Sequence, residues 1–298
     1  MIKLGSRSSQ LATWQAEFVK SELQKRGISV ELVFLSTAGD QSTQSLREFG
    51  GQGAFTRRIQ QALLEGEIDF AVHSLKDLPT EKIEGLCLAS VPPREDPRDV
   101  WVSSKFESLA DADPDCLIGT GSLRRQAQLL HARADVRVDD IRGNVDTRLK
   151  KLDDGQYDAI VLARAGLSRL GLEDRIRTDF EVDQMLPAVG QGALGLECRA
   201  TDHQTIGLLQ AIDHPATHAE VLAERALLRH LRAGCLAPVG AIARTQEDRL
   251  NLSAVVLSQD GQQRIGSEAN GEIGSAEDLG VSLAEELVAS GAAVLLER

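Results

Sequence analysis

Little in this sequence is aromatic, little of its positive charge is lysine, and nothing in it stays apolar for long. Aromatic residues make up 3% of the chain, too few for base-stacking platforms, and a net charge of −12 weighs against a broad nucleic-acid surface. No apolar run approaches the roughly 18–20 residues that cross a bilayer. The opening MIKLGSRSSQ lacks the basic start and apolar stretch of a signal peptide. These absences lead us to expect a cytoplasmic protein that acts on a small molecule, with neither nucleic acid nor membrane as partner. The four cysteines, Cys87, Cys116, Cys198 and Cys235, lie far apart in sequence with no CxxC pair and no His/Cys cluster. That spacing supports neither a disulfide framework nor a metal site.

What is abundant is arginine: of 33 basic residues, eight are lysine and 25 are arginine. The rigid guanidinium fork suits bidentate recognition of carboxylate or phosphate, so the positions of the arginines decide whether the bias matters. A chain of 298 residues that is 42% hydrophobic can bury two or three cores.

The first half alternates strand and helix. Strand Ile2–Leu4 precedes a helix over Ser8–Arg26, with Leu11, Trp14 and Phe18 on one face and Gly27 as its stop. Strand Ser29–Leu35 leads to a glycine-rich loop (Gly50, Gly51, Gly53), a helix bearing Phe55, Ile59 and Leu63, and a buried strand over Ile68–Val72. The proline-rich PPREDPR at 92–98 ends the first domain. The second repeats the logic: strand 116–119, helix to about Arg133, strand 136–141, helix 144–154, strand 159–163. The apolar, glycine-rich stretch 186–198 reads as a hinge returning between domains. A helix over 216–231, a strand hairpin and a final helix near 275–290 make a smaller α+β domain. Such alternation implies mostly parallel sheets, which bind ligands at the carboxyl ends of their strands.

Arginines fall at those ends. Arg7 follows the first strand, Arg124 and Arg125 open the helix after GTGS, Arg142 closes the strand 136–141, Arg148 lies on the next helix, and Arg169 follows the strand 159–163. Any one could be a solvated surface charge; six at matching positions suggest a cleft for a polyanion. Charge-assisted hydrogen bonds contribute about 1.5–3 kcal/mol each, against about 0.3–1 for a helix terminus, so the arginines should dominate, with Thr120 and Ser122 adding hydroxyl donors. Gly50-Gly51-Gln52-Gly53 lacks the Lys-Ser/Thr ending of a phosphate loop and reads as a lid. Asp77, in His73-Ser74-Leu75-Lys76-Asp77, either caps its turn or serves as the cleft carboxylate, kept ionised by arginines where burial alone would raise its pKa. Cys87 and Cys116 sit in apolar strand patterns typical of core thiols. Cys235, in a loop after a helix beside Gly234, is either packing or an accessible nucleophile, and His230 offers a weak base partner.

Seven ordered motifs span nearly the whole chain: HSLKDLP (73–79), REDPRD (94–99), GTGSLRRQAQL (119–129), RGNVDTRL (142–149), YDAIVLARAGLSRLG (157–171), LPAVGQGALGLECR (186–199) and AGC (233–235). Together they resemble the porphobilinogen deaminase, or hydroxymethylbilane synthase, family. The resemblance implies an α/β fold of three domains. The first two are similar to type II periplasmic binding proteins with mixed, mainly parallel sheets, and the third is a smaller α+β domain. On this sequence they would span 1–92 plus 193–210, 98–186 and 215–298.

The resemblance further implies a dipyrromethane cofactor joined by a thioether to Cys235, onto which four porphobilinogen units are condensed with release of ammonia. A carboxylate beside the cationic intermediates supplies roughly 4 kcal/mol at about 4 Å and an effective dielectric of about 20, which gives Asp77 the catalytic role. Ser74, Lys76, Thr120, Ser122, Arg124, Arg125, Arg142 and Gln191 are implied as cofactor contacts, and Arg7, Ser9, Gln15, Arg142, Arg148 and Arg169 as substrate contacts. Phe55 and Arg57 are implied lid contacts, although Glu48 and Gln52 stand where many relatives carry lysine. Arg164 stands where a small apolar residue is common. A monomer is expected, with possible handover of product to uroporphyrinogen-III synthase. The competing reading is an organic-anion binding or sensor protein of the same two lobes, which leaves Cys235 and the third domain unexplained.

Overall fold

A computed structural model of the chain describes residues 1–35, 56–234 and 237–296. Cys235, Phe55, Glu48, Gln52 and the glycines 50, 51 and 53 lie outside the described residues. Short apolar strands and amphipathic helices alternate at the start of each lobe, and four strands follow one another between them. In order these are β1 (Ile2–Ser6), α1 (Gln10–Gln24), β2 (Val30–Phe34), α2 (Arg57–Leu64), β3 (Phe70–Ser74) and β4 (Leu86–Ser90). Next come β5 (Asp99–Ser103), β6 (Leu117–Gly119), α3 (Leu123–Ala132), β7 (Arg137–Asp139), α4 (Val145–Asp153), β8 (Ala159–Ala163), α5 (Arg164–Arg169) and β9 (Thr178–Asp179). The chain then continues with β10 (Leu194–Arg199), α6 (His203–Leu209), α7 (Pro215–His230), β11 (Val239–Gln246), β12 (Arg249–Leu257), β13 (Arg264–Glu272), α8 (Ala276–Ala289) and α9 (Ala292–Leu296).

The first two sheets share one plan. Their orders are β2-β1-β3-β10-β4 and β7-β6-β8-β5-β9. In each, the first three strands pair in parallel, and the fourth pairs antiparallel with both of its neighbours, so a single strand is reversed. The reversed strands, β5 and β10, are those by which the chain enters the second lobe and re-enters the first. The two crossings touch, since the Glu95 N–H donates to Gly192 O at 3.2 Å. Gly192 has φ +84°, and a Cβ there would stand 2.3 Å from Glu95 O, so only glycine lets the crossings meet.

Two expectations need correction here. The stretch 186–198 is a crossing only as far as residue 193; from Leu194 it is a central strand. Its run is apolar without alternation because both faces are covered: Leu194 to Cys198 are all buried. The C-terminal hairpin is a three-stranded antiparallel meander, β11-β12-β13, packed on α7 and α8 around Ala223, Leu227, Leu252 and Leu283. The third strand, RIGSEANGE, has no buried residue, so too few apolar side chains mark it in the sequence.

Candidate active site

The carboxyl end of β3 runs directly into a short 3-10 turn, Leu75–Asp77. Leu75 and Leu78 are buried and anchor the turn, which leaves Lys76 and Asp77 between them on the outer side. Three hydrogen bonds to two residues elsewhere in the chain fix its backbone: Leu75 N–H donates to Ala193 O at 3.0 Å, and Arg225 donates to Leu78 O at 2.9 Å and Pro79 O at 2.7 Å. Asp77 is exposed, not buried as the sequence reading allowed, and its charge acts through space on Lys76 and Arg148. Lys76 is half-buried, with its ammonium 3.3 Å from Gln191 Oε1 and partly withdrawn from water. That desolvation, reinforced by Arg125, pulls its pKa down to about 8 against the opposing pull of Asp77 and Asp99.

Two cavities meet at this turn. One, of about 260 Å³, is lined by Arg7, Ser9, Gln15, Ser74 and Arg169; the other, of about 230 Å³, by Ser122, Arg124, Arg142, Gln191, Gly234 and Ala237. Lys76, Asp77, Arg125 and Arg148 line both. The first cavity opens between α1 and α5, one from each lobe. The second runs from the second lobe to the third domain and reaches Gly234 and Ala237, the described residues on either side of 235–236.

Arginines line both spaces in different states. Arg148 is half-buried and gives Nε to Gly143 O at 2.8 Å; burial, then Arg125 and Arg142, lowers its pKa to about 10. Arg142 is held by Asp140 at 2.7 Å. Arg169 is buried, donates from Nη2 to Gly192 O at 2.7 Å and lies over the Trp14 ring, 5.6 Å from its centroid. Burial lowers its pKa to about 10, with Glu95 opposing. Trp14 is therefore not a core residue: it is 37% exposed, stacked on Phe18 and capped by Arg169 from the other lobe.

Arg124 and Arg125 depart from the expectation of free anion forks. Both are buried against Asp99, which has no exposed surface. Arg124 reaches Oδ2 at 2.6 Å and Leu186 O at 2.8 Å, while Arg125 spends Nε and Nη2 on Oδ1 and Nη1 on Val161 O. Burial alone would raise the Asp99 pKa; the two guanidinium groups outweigh it and hold the carboxyl well below its ordinary range. Gln191 ties this node to the turn, donating to Asp99 Oδ1 at 2.9 Å and accepting from Lys76 Nζ at 3.3 Å. Asp99 escaped the sequence reading although it closes REDPRD; a carboxylate opening the apolar strand Asp99-Val-Trp-Val-Ser was the available signal. A second buried pair joins the domains: Arg94 meets Glu224 at 2.6 Å, and Glu224 also accepts from Gly190 N at 2.7 Å and Ala243 N at 2.9 Å.

The hydroxyls are more occupied than expected. Thr120 is buried, lines neither cavity, and accepts from Ser122 N at 3.2 Å. Ser9 and Ser122 cap α1 and α3 through Ala12 N and Arg125 N. Gln15 donates to Ser74 Oγ at 2.7 Å, across the floor of the first cavity. Arg57 is exposed at the start of α2 and lines neither space, whereas Thr56 and Ile59 line the first. Arg164 turns from the cleft to pair with Asp179 and Asp96. His230 is exposed and faces Glu285 at 3.9 Å.

The donor chemistry suits a carboxylate-rich ligand in each space. Among the described residues, the Arg124 Nε in the second cavity's wall and the Arg169 Nε in the first are buried donors without a hydrogen-bond partner. A buried unpaired donor costs about 1–3 kcal/mol, a cost that an anionic ligand removes. No cluster of metal-ligating side chains occurs among the described residues, and no described helix is long and apolar enough to cross a membrane.

Residues 2–207 match the family model described as porphobilinogen deaminase, dipyromethane cofactor binding domain, and residues 218–289 match porphobilinogen deaminase, C-terminal domain. Among solved structures, a putative methionine-binding lipoprotein of Bacillus subtilis is 13% identical, covering 71% of this chain and 89% of that one with a TM-score of 0.45. A periplasmic substrate-binding protein of an ABC transporter from Coxiella burnetii is 14% identical, covering 76% and 97% with a TM-score of 0.47. A nutrient binding protein from Burkholderia cenocepacia, bound to methionine, is 14% identical over 73% and 93%, also at 0.47.

Proposed function

The chain belongs to the porphobilinogen deaminase family, and from that premise we propose that its two cavities divide the partners of hydroxymethylbilane synthesis. The cavity of Arg7, Gln15 and Arg169 receives the incoming porphobilinogen. The cavity of Ser122, Arg142 and Gln191 holds the dipyrromethane tethered at Cys235. The observation that carries this reading is that Lys76, Asp77, Arg125 and Arg148 line both spaces, so the two reactants would meet at one carboxylate.

When bound, the dipyrromethane supplies the free pyrrole carbon to which a new unit is joined. The protein's part is charge. Each pyrrole unit carries an acetate and a propionate, which Arg142, Arg148 and Arg169 neutralise. Loss of ammonia leaves the substrate's pyrrole ring cationic. The Asp77 carboxylate, held at the cavity junction by a turn clamped on both sides, is available to stabilise that cation and to accept a pyrrole N–H. Lys76 and Arg148 beside it keep the junction attractive to carboxylates between condensations. Arg124 and Arg125 act mainly through Asp99, which fixes the helix N-terminus and Gln191 that border the second space.

The same reading keeps three domains at 1–92 plus 193–210, 98–186 and 215–298, supported by one sheet in each. It also takes the protein to be a cytoplasmic monomer, for which a transient handover of product to uroporphyrinogen-III synthase is possible. Asp77→Asn tests the central assignment: the variant should carry the covalent cofactor at wild-type mass yet lose at least about a hundredfold in turnover, the scale of one charged catalytic group. Bilane formation at the wild-type rate would remove Asp77 from the chemistry.

A further inference from the structure

The cysteines scattered in sequence are not scattered in space. Cys87 on β4 and Cys198 on β10 are register partners in an antiparallel pair, with their sulfurs 3.9 Å apart. Partners facing each other in such a ladder have Cα atoms about 4.5 or 5.5 Å apart, and both values fall in the roughly 4.4–6.8 Å that a disulfide spans. Closing the sulfurs to a bond of about 2.05 Å therefore asks for side-chain rotation rather than movement of the sheet. β4 is an edge strand, and its register with β10 shifts between Leu196 and Glu197, so the pair sits where the ladder yields most easily.

Access is asymmetric. Cys198 is fully buried, whereas Cys87 is half-buried, not the enclosed core thiol its strand pattern suggested. It lines a third cavity, of about 790 Å³, between the first lobe and the third domain, with Leu88, His218 and Leu222 in the same wall. The contact also splits the two thiols chemically: the hydrogen bond between the sulfurs pulls the Cys87 pKa below the ordinary thiol value in spite of burial and of Glu197, and the same contact together with burial pushes Cys198 up. Cys116 is a contrast within the chain, buried and pushed up to about 11 by desolvation.

We infer that Cys87 and Cys198 form an oxidisable dithiol, a modification site separate from the catalytic cavities, in which Cys87 reacts with a small peroxide and Cys198 resolves it. The Cys87 thiolate attacks one oxygen of hydrogen peroxide; the O–O bond breaks, hydroxide leaves and is protonated to water, and Cys87 becomes a sulfenic acid. The Cys198 sulfur then attacks the Cys87 sulfur, the S–O bond breaks, and hydroxide departs as water with the Cys198 proton. Two thiols lose two electrons, and one peroxide is reduced to two waters. Resolution by a neighbour already in van der Waals contact keeps Cys87 from passing to the irreversible sulfinic acid.

The test uses the cofactor-bearing protein, in which Cys235 is engaged as a thioether. The folded protein is exposed to hydrogen peroxide, blocked with N-ethylmaleimide, unfolded, digested and mapped by mass spectrometry. The expected result is a Cys87–Cys198 linked peptide lighter by two hydrogens, reversed by dithiothreitol, with Cys116 still a free thiol. Cys198→Ala should leave Cys87 as a sulfenic acid that dimedone traps, and Cys87→Ser should leave Cys198 reduced. Recovery of both thiols unmodified at peroxide levels that oxidise free cysteine would overturn the inference, as would linkage or oxidation of Cys116 at a similar rate. Wild-type mapping suffices even where a variant folds poorly.

Discussion

Arg125 sets two guanidinium nitrogens on the same oxygen of Asp99, Nε at 2.9 Å and Nη2 at 2.7 Å. Arg124 takes the other oxygen at 2.6 Å, and Gln191 donates to the first at 2.9 Å. One buried carboxylate thus organises two cations, the start of α3 and the crossing back to the first lobe, leaving one positive charge in surplus beside the cavities.

Removing that carboxylate strands two guanidinium groups out of water. Asp99→Asn should destabilise the protein by about 3–5 kcal/mol, the usual cost of breaking one side of a buried ion pair. Urea unfolding followed by circular dichroism reads this directly. An unchanged midpoint would mean that Arg124 and Arg125 find other partners.

Lys76 gives the site a pH dependence near neutrality. With a pKa near 8, its charge is present below about pH 8 and lost above it, so affinity for carboxylates should fall as pH rises through that value. KM for porphobilinogen, measured from about pH 7 to about pH 9, should climb in the wild type, and Lys76→Arg should flatten that limb. For stability the sign is opposite. The folded form gives up its proton at lower pH than the unfolded chain does, so the Lys76 contribution rises with pH between about 8 and the ordinary value of 10.5. A KM profile identical in Lys76→Arg would place the titration elsewhere.

Arg169 joins the lobes by a charged hydrogen bond to Gly192 O and by stacking on Trp14. Lysine has neither the fork nor the flat face to keep both. Arg169→Lys should raise KM by about tenfold, corresponding to one charge-assisted bond, while the covalent cofactor stays at full occupancy. Stopped assays with intact-mass control separate the two effects. A variant with unchanged KM would show that Arg169 serves the lobe contact alone.

The lobe elements that were readable have a clear period and a clear stop, unlike β5, β9, α5 and α6, which went unread: β8 lies over Ala159–Ala163 as its uninterrupted apolar run implies, and α1 starts after Ser9 as a capped helix should. The elements that escaped lack such signals. β10 is covered on both faces, which removes the alternation of a half-exposed strand, and β13 buries nothing. At the candidate site, residue type and position in the chain pointed to residues that the fold brings together, since Arg7, Arg142, Arg148 and Arg169 all border the cavities. What sequence could not tell was which arginines are already spent. Only packing reveals that Asp99 claims Arg124 and Arg125, that Trp14 faces outward under Arg169, or that two distant cysteines share a ladder rung.

A pyrrole chain tethered at Cys235 and extended beside Asp77 is the central assignment. Intact-mass spectrometry of protein exposed to porphobilinogen addresses it in one measurement. The wild type should carry a covalent excess equal to a dipyrromethane, Cys87→Ser the same excess, and Cys235→Ser none. An apoprotein mass for the wild type, or equal labelling of the two serine variants, would contradict it.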